Sequence, residues 1–171
     1  MEYALPRRLH PLRAVRFNHV SVYADDLETS ARFYEDLFGM ERLPSPDFGA
    51  TKVLWLRLGD QQLHLFHRET EAPPFHHFGI DVDDFERTYL EARRRGLLDD
   101  STFGPAVREL PDGSVQMYIR DPASNLVEVD WPDASTIDRA IVTDVRKLDD
   151  DVPQAGDALL ATLYHALRER D

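Results

Sequence analysis

Two stretches of this chain echo each other, and an internal repeat constrains a fold more tightly than any composition does. The first is Phe17-Asn18-His19-Val20-Ser21-Val22-Tyr23-Ala24-Asp25-Asp26-Leu27-Glu28, and the second is Phe75-His76-His77-Phe78-Gly79-Ile80-Asp81-Val82-Asp83-Asp84-Phe85-Glu86. With His19 laid on His77, the Phe, the His, both Asp residues and the Glu coincide. Each copy alternates up to its Asp pair, with the period of two that marks a half-buried strand. Val20 and Val22 share one face, as do Phe78, Ile80 and Val82, so His19 and His77 point to the opposite face. The Asp-x-x-Glu segments, Asp25 to Glu28 and Asp83 to Glu86, read as the aspartate form of a capping box. A strand followed by a helix is therefore predicted twice.

The elements after each pair also match. From Asp26 to Phe38, Leu27, Ala31, Tyr34, Leu37 and Phe38 recur at helical spacing, and Gly39 supplies a left-handed stop. Pro44 and Pro46 mark a loop. Lys52 to Leu58 then alternates, with Leu54, Leu56 and Leu58 opposed by Trp55 and Arg57. After Gly59-Asp60, Gln61 to His67 sets Leu63 and Leu65 against Gln62, His64 and Phe66, which completes a hairpin. In the second unit a helix is predicted from Asp84 to Arg95, ending at Gly96. Pro111-Asp112-Gly113 turns the chain. Ser114 to Arg120 sets Val115, Met117 and Ile119 against Gln116, Tyr118 and Arg120. Leu126 to Asp130 is the last strand, with Glu128 facing away from Val127 and Val129. These patterns predict an α+β fold of two paired βαβββ modules forming a curved mixed sheet around a central cleft, although only three strands of each are directly legible.

The expected domains are an N-terminal arm over 1–14, a paired-module domain over 15–131 (modules about 15–67 and 75–131) and a C-terminal extension over 132–171. In that extension Leu159, Leu160, Leu163, Ala166 and Leu167 trace an amphipathic helix from Asp157 to Arg168, packed on its own domain or on a second subunit. The chain has no cysteine, which excludes disulfides, thiolate metal sites and thiol nucleophiles. A net charge of −12 argues against nucleic acid as a partner. No apolar run approaches a membrane span and no signal segment is visible, so a cytoplasmic location and no membrane partner are expected. A weak contact is conceivable between Arg7, Arg8, Arg13 and Arg16 and the later cluster Asp144, Asp149, Asp150, Asp151 and Asp157.

The pseudo-symmetry also picks out chemistry. His64 sits in the closing strand of the first module where Glu128 sits in that of the second. His19, His64, His77 and Glu128 thus fall at matching places on the less apolar faces of their strands, and a buried Glu128 needs compensation. Three imidazoles and a carboxylate suit one divalent ion per chain, Fe, Zn, Mn, Ni or Co, with two octahedral positions left open. His67 and His76 alternate to the other face, and His10 and His165 lie in the terminal segments, so these four are not expected as ligands.

The segments around His19 with Phe33-Tyr34 and Leu37-Phe38-Gly39, around His77, and from Tyr118 to Glu128 together resemble the vicinal oxygen chelate superfamily. That superfamily spans glyoxalase I, extradiol dioxygenases, fosfomycin-resistance transferases, methylmalonyl-CoA epimerase and bleomycin-resistance proteins. The resemblance covers about residues 15–131 and implies a metal held by His19, His77 and Glu128 on the concave side of the paired modules. His64 falls where glyoxalase I has a Glu tied to proton transfer and the epimerase has Gln, which counts against the glyoxalase reaction. Where Asp-Pro-Asp-Gly-Asn is common, this chain has Asp121-Pro122-Ala123-Ser124-Asn125, a change expected to be structural.

The expected activity is that of a metal-dependent enzyme, a dioxygenase or a lyase or isomerase, acting on a small substrate chelated through adjacent oxygens. Glu128 and Tyr118 are the expected catalytic residues. Trp55, Arg57, Phe66, Gln116 and Arg120 share their strand faces and are the expected substrate-binding residues. A homodimer is expected. The alternatives are a metal-free protein that sequesters a small molecule or antibiotic, and a scaffold for association.

Overall fold

In each repeat the second Asp of the pair ends the strand and opens the helix. Asp26 Oδ1 accepts from the Thr29 amide at 2.7 Å, and Asp84 Oδ1 accepts from the Arg87 amide at 2.9 Å. This moves the predicted capping residues, Asp25 and Asp83, forward by one. A cap carboxylate must reach the amide three residues on, and the helices begin at Leu27 and Phe85. Gly39 and Gly96 close them in left-handed conformation, with φ of 63° and 68°.

The computed structural model describes residues 16–164. β1 (His19–Ala24), α1 (Leu27–Phe38), β2 (Glu41–Leu43), β3 (Val53–Leu58) and β4 (Gln61–His67) form the first module. β5 (His77–Asp81), α2 (Phe85–Arg95), β6 (Val107–Glu109), β7 (Val115–Arg120) and β8 (Leu126–Trp131) form the second. Both run βαβββ, as the repeat predicts. β2 and β6 are three residues long, too short to show an alternation.

The strands make two mixed sheets, ordered β1-β4-β3-β2 and β5-β8-β7-β6-β9. β1 runs parallel to β4 and β5 parallel to β8, while the hairpins are antiparallel. β9 (Val145–Lys147) comes from the C-terminal extension and pairs with β6. The strand faces that carry Leu56, Leu63, Leu65, Met117, Val127 and Val129 meet Phe33 and Tyr34 of α1 and Phe85 and Tyr89 of α2 in one core. Burying these side chains supplies most of the favourable free energy of the fold.

Between the modules, Tyr34 donates to Asp121 Oδ2 at 2.8 Å, and Asn125 Nδ2 donates to the Tyr23 carbonyl at 2.7 Å. Edge strands β1 and β5 line a common groove of about 710 Å³ without pairing.

The extension is helical only in short pieces. Residues Ala134–Thr136 form a 3-10 turn, α3 spans Leu148–Asp151, and a second 3-10 helix spans Gly156–Leu160. An α-helix from Asp157 is therefore not what the chain adopts as far as Tyr164; Ala166, Leu167 and Arg168 lie outside the described residues. Leu159, Leu160 and Leu163 are exposed, and a short helix that buries no apolar face gains too little to offset nucleation. Arg16 pairs with Asp60 at 2.6 Å instead of with the later Asp cluster. Arg7, Arg8 and Arg13, like the whole N-terminal arm, lie outside the described residues.

Candidate active site

Cross-strand register sets up the second sheet. Tyr118 of β7 lies opposite Glu128 of β8, and Glu128 lies opposite Gly79 of β5. Glu128 is only 5% exposed. Gln116 Nε2 donates to its Oε1 at 2.7 Å, while its Oε2 stands 3.4 Å from His77 Nε2. His77 Nδ1 meets the Phe75 carbonyl at 2.9 Å. A ring nitrogen facing a carbonyl oxygen carries a proton, which leaves Nε2 as the atom that addresses the carboxylate. Two electron-rich atoms at that distance call for a proton or a cation between them.

Tyr118 is held protonated, its phenol pushed up first by burial and then by the hydrogen bond and charge of Glu128. It is a donor here and not a base. Asp130, also buried, has Oδ1 without a hydrogen-bond partner. Burial and the neighbouring Glu128 push its carboxyl up. Gly79 makes room for both acids, since a Cβ there would stand 2.6 Å from Asp130 Oδ2. Gly79→Ala is expected to displace the Asp130 carboxylate and cost about 1–2 kcal/mol, checked by chemical denaturation.

On the first sheet, His64 is sandwiched between two rings. Trp55 stacks on it at 4.2 Å and His19 at 4.3 Å. Its Nε2 is held by Gln62 Oε1 at 2.9 Å, and His19 Nδ1 faces Asn18 Oδ1 at 3.0 Å. Burial and the adjacent His19 push the His64 imidazole down, which keeps it neutral.

Each of the three imidazoles thus has one nitrogen held by an oxygen, Nδ1 of His19, Nε2 of His64 and Nδ1 of His77, the kind of contact by which outer partners orient metal-binding histidines. The donor types fit a borderline divalent cation. They come, however, as two pairs: among the described residues no three His, Asp or Glu side chains gather in a group that could hold a metal ion.

The sequence pattern of the Glyoxalase/Bleomycin resistance protein/Dioxygenase superfamily matches residues 16–129. The chain belongs to that superfamily. Over 107 residues it is 29% identical to the mitochondrial methylmalonyl-CoA epimerase of Mus musculus, covering 52% of this chain and 60% of that protein. Over 130 residues it is 28% identical to the metapyrocatechase of Pseudomonas sp. (strain CF600), covering 74% of this chain and 42% of that one. The chain therefore spans less than two thirds of these relatives' length. The crystal structure of lactoylglutathione lyase from Agrobacterium tumefaciens shares the fold with a TM-score of 0.51 and 27% identity, over 71% of this chain and 95% of that one.

Arg57 reaches Glu41 at the rim. Arg120 donates to Asp99 at 2.6 Å, to Thr102 Oγ1 at 2.6 Å and to the carbonyls of Ser124 and Pro74 at 2.8 and 3.1 Å. It ties the β7–β8 turn to two loops. Burial pushes Asp99 up, but the amides of Thr102 and Ser101 together with Arg120 outweigh that and hold its carboxyl at about 2. Phe66 is half-buried at the end of β4. Phe75 and Phe103 were missed in the sequence because they lie in loops: Phe103 meets His77 edge-on at 5.6 Å and Tyr118 at a tilt at 5.0 Å, and Phe75 lies against Phe103 at 5.9 Å. Asp130 was legible two residues beyond Glu128, on the same strand face.

Proposed function

We propose that the chain is a metal-dependent enzyme acting on a small, uncharged substrate chelated through two adjacent oxygens. His19, His64, His77 and Glu128 would hold the ion. The observation that carries this is the Nε2 of His77 turned on a buried, Gln116-held carboxylate 3.4 Å away. A bound divalent ion would supply Lewis acidity to the two substrate oxygens and to the anion that develops on them. Gln116 keeps Glu128 oriented. Tyr118, a protonated donor, is suited to hydrogen-bond a substrate oxygen next to Glu128. Trp55, Phe75 and Phe103 supply apolar walls. The arginines of these faces, Arg57, Arg108 and Arg120, already meet Glu41, Asp151 and Asp99, which disfavours a substrate with a phosphate or phosphonate tail.

The two donor pairs are completed across a homodimer, with His19 and His64 of one chain facing His77 and Glu128 of its partner. Both sheets commit their other faces to one common core, which leaves the donor rows of the opposite faces to meet a second copy. The test is metal content of protein purified without an affinity tag. About one ion per chain is expected, with His77→Ala or Glu128→Ala weakening binding at least about 100-fold and His67→Ala leaving it nearly intact. Equal loss in all three overturns the assignment of donors to strand faces, and no uptake by the unaltered chain overturns the metal-dependent reading and favours sequestration.

A further inference from the structure

We infer that residues 151–164 form a fixed wall across one end of the second sheet's Glu128-bearing face, and that Tyr164 sets how far a bound substrate can extend. Register places Arg108, Gln116, Asp130 and Asp81 in a single row across β6, β7, β8 and β5. This row lies on the face that carries Glu128, because Asp130 is two residues from Glu128, Gln116 two from Tyr118 and Asp81 two from Gly79. The chain leaving α3 is anchored at both ends of the row. Asp151 Oδ2 accepts from Arg108 Nη1 at 3.2 Å, and the Tyr164 hydroxyl donates to Asp81 Oδ1 at 2.6 Å.

β6 and β5 stand three interstrand spacings apart, about 14 Å, and the segment between the two anchors crosses that distance. Arg108 is largely covered, its side chain 13% exposed, and Asp130 is 8% exposed. The row of Tyr118, Glu128 and Gly79 is the next one along, about 7 Å away. A substrate held at Glu128 therefore meets Tyr164 and Asp81 within one row in that direction. The superfamily match ends at residue 129, so the wall is an addition of this chain to the shared modules. The wall stands on geometry alone; its consequence for substrate rests on the metal site proposed above.

The lack of cysteine makes the cover directly measurable. A thiol in Gln116→Cys is expected to react with a bulky maleimide about tenfold more slowly than the same thiol combined with Tyr164→Ala or Tyr164→Phe, because labelling follows access. Equal rates in all three overturn the wall. With the Co(II)-loaded full chain, acetohydroxamate is expected to bind at least about tenfold more tightly than hexanohydroxamate, and Tyr164→Ala to narrow that gap. An unchanged ratio overturns the role of Tyr164. Failure of every variant to bind acetohydroxamate overturns the metal reading instead, while the labelling rates still decide the wall.

Discussion

Mixing two variants that each fail to bind metal is expected to restore binding. One variant carries His19→Ala and His64→Ala, the other His77→Ala and Glu128→Ala. In the proposed dimer, each homodimer would lack half of every donor set. In a mixed dimer one site loses all four donors, while the other draws His19 and His64 from one chain and His77 and Glu128 from its partner. Random exchange at equal amounts makes half the dimers mixed, each with one intact site of two, so metal content should recover to about a quarter of the unaltered protein's. A site built within one chain would recover nothing on mixing. The prediction follows from the pairing of donors: His64 stacks on His19 and Glu128 faces His77, and no third donor joins either pair among the described residues. Metal analysis after chain exchange, beside a sedimentation measurement of the mixed species, is the check.

The modules were legible because period-two alternation and caps are local. Val20 and Val22 against His19, or Val127 and Val129 against Glu128, fix a strand face without reference to the rest of the chain. The four proposed donor positions came from the same signal applied twice, since a repeat places equivalent residues on equivalent strands. How the two sheets sit was not legible, because it depends on which face each module buries against the other. The Tyr34 to Asp121 bond spans a sequence distance over which no periodicity operates. Arg120 shows a further limit: it lies on the expected face of β7, yet Asp99, Thr102, Ser124 and Pro74 claim its guanidinium. The stripe of Leu159, Leu160 and Leu163 failed for a related reason. Spacing predicts a helix only where a surface waits to cover it, and these side chains face solvent.

Asp121→Ala is expected to be among the most destabilising single changes in the chain, at about 3 kcal/mol. Asp121 Oδ1 accepts from the amides of Ala123 and Asn125 at 2.9 and 2.8 Å, and Oδ2 from Tyr34 and Asn125 Nδ2, both at 2.8 Å. Asp121, Tyr34 and Asn125 are all buried. Removing the carboxylate would leave the Tyr34 hydroxyl and the amides of Ala123 and Asn125 without an acceptor and Asn125 Nδ2 with only the Tyr23 carbonyl, a larger penalty than losing one average hydrogen bond. It would also free Ser124, whose φ of 64° is held within this turn. Tyr34→Phe, which deletes a single donor, should cost about 1 kcal/mol, because the carboxylate keeps its other three partners. The comparison separates the joint between modules from the turn itself. If both variants lose the same small amount on chemical denaturation, the Asp121-Pro122-Ala123-Ser124-Asn125 segment is only a connector. If Asp121→Ala alone collapses stability, the departure of Ala123 and Ser124 from the superfamily's usual Asp-Gly is tolerated because Asp121 and Asn125, the residues that carry the bonds, are retained.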